Sequence, residues 1–204
     1  MKPEFILASN SPRRRELLTM LGMDFSVIVS DCDESINTPM APDAMVRELA
    51  LRKANAVAER QDTARDFIVI GADTIVWDGT HILGKPRDRE DARRAIQLLA
   101  GREHSVFTGI ALIGCDNGTR KTVTDAVESK VVFDDISPEE IEHYVASGEP
   151  MDKAGSYAIQ SLGGVFVKEL HGDYFNIVGL PIARMRTLLR EEFGLSVCDY
   201  AMRV

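Results

Sequence analysis

The 204-residue sequence predicts an α/β fold: a mixed β-sheet flanked by helices. Three observations predict it. Short apolar strand candidates alternate with helix candidates, which calls for crossover connections. Two turn signals, Asp78-Gly79 and Asp116-Asn117-Gly118, join neighbouring strands as hairpins and put antiparallel pairs into the same sheet. No change of composition resembles a linker, so residues 1–204 read as a single domain with two lobes.

The elements follow in order. Phe5-Ile6-Leu7-Ala8 reads as a short buried strand. Ser9-Asn10-Ser11 is a loop, Ser11 is a good N-cap, and Pro12 suits the first helical position. That helix carries Leu17, Leu18 and Leu21 and stops at Gly22. Phe25 to Val29 is a second strand, followed by an acidic loop from Asp31 to Pro42. Asp43 is expected to cap a long helix reaching about Arg60, with Met45, Leu49 and Ala56 on one face. Phe67-Ile68-Val69-Ile70 is a strand buried on both faces; it runs into Gly71-Ala72-Asp73-Thr74 and resumes as Ile75-Val76-Trp77. Asp88 caps a helix that ends at Gly101. His104 to Ile113 and Val123 to Phe133 are two long strands. Ser137-Pro138-Glu139-Glu140 is a capping box opening a helix that ends near Gly148. A Gly-punctuated stretch, residues 148–164, leads to a strand at Val165-Phe166-Val167, and Pro181 opens a last amphipathic helix.

Composition narrows the function. Lys and Arg number 24 against 32 Asp and Glu, a net charge of −8. That argues against nucleic-acid binding, whose footprint is a basic surface. One small anion is still accommodated where a few cations converge. No apolar run approaches the ~20 residues of a membrane helix, and Phe5 to Ala8 is too short for a signal-peptide core. Cys32, Cys115 and Cys198 are odd in number and widely spaced, which suits reduced thiols in a cytoplasmic protein. The four histidines, His81, His104, His143 and His171, are scattered and read as structural or surface residues.

Several segments carry possible chemistry. Ser9-Asn10-Ser11-Pro12-Arg13-Arg14-Arg15 places three arginines where a helix begins. A helix N-terminus offers N–H groups and partial positive charge, so first-turn arginines oppose the dipole unless an anion is bound. The segment is either a phosphate or carboxylate site or a solvated basic face. Asp73 follows an apolar strand and needs a partner, a metal or a catalytic role, unless it is a turn Asp satisfied by backbone N–H groups. Asp31-Cys32-Asp33-Glu34 offers carboxylates suited to a hard cation, or is simply a solvated acidic loop. Lys53 on the long helix reads as solvated by itself, whereas Lys85 lies in the tight loop Leu83-Gly84-Lys85-Pro86. Asp152, Lys153, Tyr157 and Gln160 supply donors and acceptors of the kind that read a base or a sugar.

Taken together, these segments form an ordered set. Ala8-Ser9-x-Ser11-Pro12-Arg13-Arg14-x-Glu16-Leu17-Leu18 is followed by Asp33-Glu34, Lys53-Ala54, Gly71-Ala72-Asp73-Thr74 and Gly84-Lys85-Pro86. Then come residues 147–160, from Ser147-Gly148-Glu149-Pro150 through Asp152-Lys153-Ala154-Gly155 to Tyr157-x-Ile159-Gln160, and Asn176-Ile177-Val178-Gly179-Leu180-Pro181. The sequence resembles the Maf family of nucleoside triphosphate pyrophosphatases from about Phe5 to Leu189. The resemblance implies a fold related to the inosine-triphosphatase type, an elongated mixed sheet with a cleft between two lobes. It implies hydrolysis of a nucleoside triphosphate to the monophosphate and pyrophosphate with Mg²⁺ or Mn²⁺. It implies homodimers, removal of non-standard or excess nucleotides, and a link to arrest of septum formation.

The resemblance also distributes roles. Asp73, Glu34, Lys53 and Lys85 are the expected catalytic residues, with Asp73 as general base and Asp73 and Glu34 as metal ligands. Ser9, Ser11, Arg13, Arg14, Thr74 and Gln160 are the expected substrate-binding and specificity residues. Arg13, Thr74 and Gln160 match the dTTP/UTP type, whereas the 7-methylguanosine-triphosphate type carries an aromatic residue, Gln and Glu there. Asn10 departs from a common Gly, and Ser156 and Ala158 vary the Gly-rich loop. Two other readings fit the same residues: a non-catalytic nucleotide-binding regulator of septum formation, and an enzyme acting mainly on modified pyrimidine triphosphates.

Overall fold

A computed structural model describes residues 2–200. The sheet is mixed and has seven strands: β1 (Glu4–Leu7), β2 (Ser26–Val27), β3 (Phe67–Trp77), β4 (Ile82–Leu83), β5 (Glu103–Asp116), β6 (Thr119–Phe133) and β7 (Val167–His171). The helices are α1 (Pro12–Met20), α2 (Pro42–Ala58), α3 (Arg89–Leu99), α4 (Pro138–Ala146), α5 (Tyr174–Val178) and α6 (Ile182–Phe193). The strand order is β2-β1-β3-β5-β6-β7, with β4 paired on β3. β1 runs parallel to β2 and β3, with Ile6 opposite Val69 and Leu7 opposite Ile70. β4 and β7 run antiparallel to β3 and β6. Both predicted turns are therefore strand connections within the sheet.

Several local expectations hold. Asp88 accepts a hydrogen bond from the Asp91 N–H and caps α3. Ser137 and Glu140 form a reciprocal capping box on α4. Others are corrected. Asp43 does not cap α2: Ala41 occupies that position, Pro42 follows it, and Asp43 pairs with Arg47 one turn on. Ser11 is the N-cap residue of α1, but its side chain makes no capping bond. The strand expected over Phe25–Val29 keeps only two paired residues. Gly71-Ala72-Asp73 does not interrupt its strand, because β3 runs through it unbroken. The stretch expected as strand Val165–Val167 is a 3₁₀ turn, Leu162–Phe166, with β7 beginning at Val167.

The chain divides into two compact units. The first comprises Met1–Asp73, Thr108–Val127 and Gly179–Val204; the second comprises Thr74–Phe107 and Glu128–Val178. In the first, alternation along the strands sorts the helices. Val69 on β3 and Ala111 and Ile113 on β5 share a core cluster with Ala50, Ala54 and Val57 of α2. Gly71 and Gly109 lie on that same face. A Cβ at Gly71 would stand 2.3 Å from the Ala50 carbonyl oxygen, and one at Gly109 2.0 Å from that of Val46. α2 therefore rests backbone to backbone on β3 and β5. The opposite face is covered from α6, whose Phe193 fills the space over Gly114.

In the second unit, α3 buries Ala92, Ile96 and Leu99 and α4 buries Ile141, Tyr144 and Val145, three or four residues apart as a helix face requires. They close on Val131, Phe133 and Tyr157. His104 sits in the same core with its Nε2 2.8 Å from the Tyr157 hydroxyl. Burial pushes its imidazole down to about 4, against the pull of the Arg102 backbone and Glu103. An unfolded His titrates near 6.5, so between about pH 6.5 and 4 the unfolded chain binds the extra proton. This stability is complete above pH 6.5 and falls as pH drops towards 4, by up to about 3 kcal/mol. Denaturant melts at pH 7, 5.5 and 4.5 should show that loss in the wild type and a smaller one in His104→Phe; equal losses would exclude His104 as its source.

Candidate active site

The site is built where β3 passes under α2. Val69, Gly71 and Asp73 share the α2-facing side of β3 by strand alternation. On α2, Lys53 stands beside Ala50 and Ala54, the residues that meet Gly71. The close helix–strand approach thus delivers a lysine directly over an aspartate. Lys53 Nζ donates to Asp73 Oδ1 at 2.6 Å and lies 2.8 Å from Glu34 Oε2. The Lys53 and Asp73 side chains are only 10% and 12% exposed, whereas Glu34 is 59% exposed. A buried charge pair of this kind lasts only where its groups are mutually satisfied. Lys53 is thus no solvated helix lysine, and Asp73 is no turn Asp: each is the other's counter-ion.

The loop after β1 adds cations. Ser9 Oγ accepts the Ser11 N–H at 3.1 Å and an Arg14 N–H at 3.2 Å. Arg14 Nε donates to the Gly179 carbonyl at 2.8 Å. This gives the Gly179-Leu180-Pro181 motif a use the sequence did not reveal: its backbone orients an arginine. Burial lowers the Arg14 pKa, and Arg13 lowers it further, while the Asp73 and Glu34 carboxylates raise it. Arg14 therefore lies within electrostatic reach of both carboxylates and of Arg13. Ser9 and Arg14 are buried, and Ser11 and Arg13 are half-buried.

The first unit thus brings together Ser9, Ser11, Arg13, Arg14, Glu34, Lys53 and Asp73. Thr74, Lys85 and Gln160 belong to the second unit. Thr74 follows Asp73 on β3 and is half-buried. Lys85 is exposed just after β4, in a loop tied down by a hydrogen bond from the Gly155 N–H to the Gly84 carbonyl at 3.1 Å. Gln160 is exposed in a turn between Tyr157 and the 3₁₀ turn. Asn176, another motif residue, is buried and donates to the Val106 carbonyl and the Ser129 hydroxyl, a scaffold role.

Arg52 was missed by sequence reasoning because its i,i+4 pair with Glu48 reads as an ordinary helix-surface contact. The same guanidinium donates to the carbonyls of Asp33 and Ser35, the residues on either side of Glu34. Asp33 Oδ1 also accepts the Ser35 N–H at 2.8 Å, tightening the turn. Glu34 is therefore aimed at Lys53 by its own loop. Arg52→Met should loosen that aim while leaving Lys53 and Asp73 in place. For a divalent cation held by Glu34 and Asp73, the expected result is a Mn²⁺ titration of activity shifted about tenfold to higher concentration with little change in melting temperature, near the lower end of the ~1.5–3 kcal/mol of a charge-assisted hydrogen bond. An unchanged Mn²⁺ titration would remove Arg52 from the site.

The donor set fits a hard divalent cation only in a particular way. Among the described residues no group of three or more His, Cys, Asp or Glu side chains could hold a metal ion. The chain offers two carboxylates, Glu34 and Asp73, on either side of one ammonium. Mg²⁺ is commonly held by one or two carboxylates together with substrate phosphates and water, and this pair suits that arrangement.

Comparison with known proteins decides the family. The family model described as "Maf-like protein" matches residues 4–192. The chain belongs to the Maf family. A dTTP/UTP pyrophosphatase of Bacillus thuringiensis subsp. konkukian (strain 97-27) is 48% identical over 194 residues, covering 95% of this chain and 97% of that one. A dTTP/UTP pyrophosphatase of Bacillus anthracis has the same identity and coverage. Among solved structures, the Staphylococcus aureus Ham1 protein matches 63% of this chain and 72% of its own at 18% identity and a TM-score of 0.39. No helix among the described residues is long and apolar enough to cross a membrane.

Proposed function

We propose that this Maf-family chain is a nucleoside triphosphate pyrophosphatase that hydrolyses dTTP and UTP to the monophosphate and pyrophosphate. The observation that carries the reading is the buried Lys53–Asp73 pair, joined by Glu34 and lying in the field of Arg14. The names of the 48%-identical relatives support the substrate choice.

Each group has a task in that reaction. Arg13, Arg14 and the first N–H groups of α1 bind phosphate oxygens, which resolves the conflict between first-turn arginines and the helix dipole. Asp73 takes a proton from the water that attacks the α-phosphorus. The bond from the α-phosphorus to the α,β-bridging oxygen breaks, and pyrophosphate leaves with the bonding pair. Lys53 holds the Asp73 carboxylate in one rotamer by donating to Oδ1. Lys85 adds a cation for the phosphates. A divalent cation at Glu34 and Asp73 would neutralise charge on the triphosphate. Gln160 offers both a donor and an acceptor to the N3–H and a carbonyl of uracil or thymine, a pairing worth ~1–3 kcal/mol. The protein acts in the cytoplasm as a homodimer.

The test is pyrophosphate release from a panel of nucleoside triphosphates with Mg²⁺, Mn²⁺ and EDTA. The expected outcome is metal-dependent release led by dTTP and UTP. Release led by 7-methyl-GTP would keep the family and overturn the subtype. No release from any nucleotide would overturn the enzyme reading.

A further inference from the structure

We propose that Glu149 is a positioning residue for Gln160 and thereby sets how sharply the protein discriminates among nucleobases; this rests on the base-reading role given to Gln160 above. Gln160 stands in a turn anchored on both sides. Upstream, the Tyr157 hydroxyl meets His104, and the Tyr157 ring packs edge-on against Phe133 at 4.7 Å. Downstream, the next three residues all bind one carboxylate. Glu149 Oε1 accepts from the Ser161 hydroxyl at 3.0 Å and the Gly163 N–H at 2.9 Å; Oε2 accepts the Leu162 N–H at 3.0 Å. The Tyr144 hydroxyl, on α4, donates to Oε1 as a fourth partner at 3.1 Å. Glu149 is itself placed by the Ser147 hydroxyl, which accepts its N–H.

The chemistry of the four partners specifies a carboxylate. All four are donors, and an ionised carboxylate is the side chain that only accepts. Burial alone would raise the Glu149 pKa, but the Gly163 N–H, Ser161 hydroxyl, Leu162 N–H and Tyr144 hydroxyl hold it below the usual carboxylate range. An amide at this position would turn its NH₂ towards the Leu162 N–H if it replaced Oε2, or towards the Gly163 N–H if it replaced Oε1, and neither N–H can accept it. The turn would then lose its downstream anchor, with Gln160 one residue away. Glu149 touches neither substrate nor reacting atoms; its effect passes through the place where Gln160 stands.

The experiment measures kcat/KM for UTP and GTP in the wild type, Glu149→Gln, Gln160→Ala and the double variant, with a thermal melt of each. Glu149→Gln should lower the UTP-to-GTP preference by about tenfold. The double variant should have the preference of Gln160→Ala, because the two residues act through one contact. Ser161→Ala, which removes a single donor, should move the preference the same way by a smaller factor and keeps the test valid if Glu149→Gln does not fold. A shifted preference in Gln160→Ala with wild-type preference in both Glu149→Gln and Ser161→Ala would overturn the role of Glu149 alone. Wild-type preference in Gln160→Ala would overturn the base-reading premise and this proposal with it.

Discussion

Asp73→Asn lowers kcat by about 10²–10⁴-fold, the usual weight of a general base. The substitution keeps shape, and the amide oxygen still accepts the Lys53 hydrogen bond now made to Oδ1 at 2.6 Å. What is lost is the capacity to take up a proton and one negative charge facing Lys53. Lys53 retains Glu34 at 2.8 Å, so the ammonium is not stranded. The loss should therefore appear in kcat, with a smaller change in KM and a folded protein by circular dichroism. Wild-type turnover in this variant would place the base elsewhere.

Lys53→Met removes the one cation between two carboxylates. Both Asp73 and Glu34 lie within 2.8 Å of the lost nitrogen, and Asp73 is nearly sealed from water. Breaking a buried pair by deleting one partner costs about 3–5 kcal/mol, and Arg14, whose charge also acts on Asp73 and Glu34, offsets only part of that loss. The variant should melt well below the wild type and turn over far more slowly. Mn²⁺ should raise its melting temperature more than it raises that of the wild type, since the carboxylates then gain a cation they lack. A wild-type melting curve would mean that the pair carries no stability.

The sequence and the structure agree unevenly, for physical reasons. The mixed sheet was legible because Asp-Gly and Asn-Gly turns leave local marks in the chain. The caps at Asp88 and Ser137 were legible for the same reason, since their partners lie three residues away. Asp73 could be suspected from its apolar approach, but periodicity left its partner open. Lys53 lies twenty residues from Asp73, and by spacing alone it resembled any other helix lysine. Only the ordered resemblance singled it out. Arg52 escaped altogether, and Glu149 and Gly179 were quoted as motif residues without a role, because each acts across a gap that no local rule spans: seventeen residues, twelve to fourteen residues, and one hundred and sixty-five. The 3₁₀ turn was misread as strand because Val165-Phe166-Val167 has the composition of one, while the anchoring of Leu162 and Gly163 lies outside that window.

Gly71 and Gly109 make the position of Lys53 a matter of main-chain thickness rather than of side-chain fit. Where two elements meet through interdigitated side chains, a lost methylene lets them settle closer or slide. Here the spacing between α2 and the strands is already at its floor, so changes in the surrounding apolar residues have little room to alter it. The apolar lining of α2 is therefore a region where sequence drift is cheap in alignment, while the two hydrogen atoms standing in for side chains are not replaceable. A library that varies Leu49, Val57 and Ile113 among apolar residues of similar volume should return many active members, and one that varies Gly71 and Gly109 among any residues with a side chain almost none.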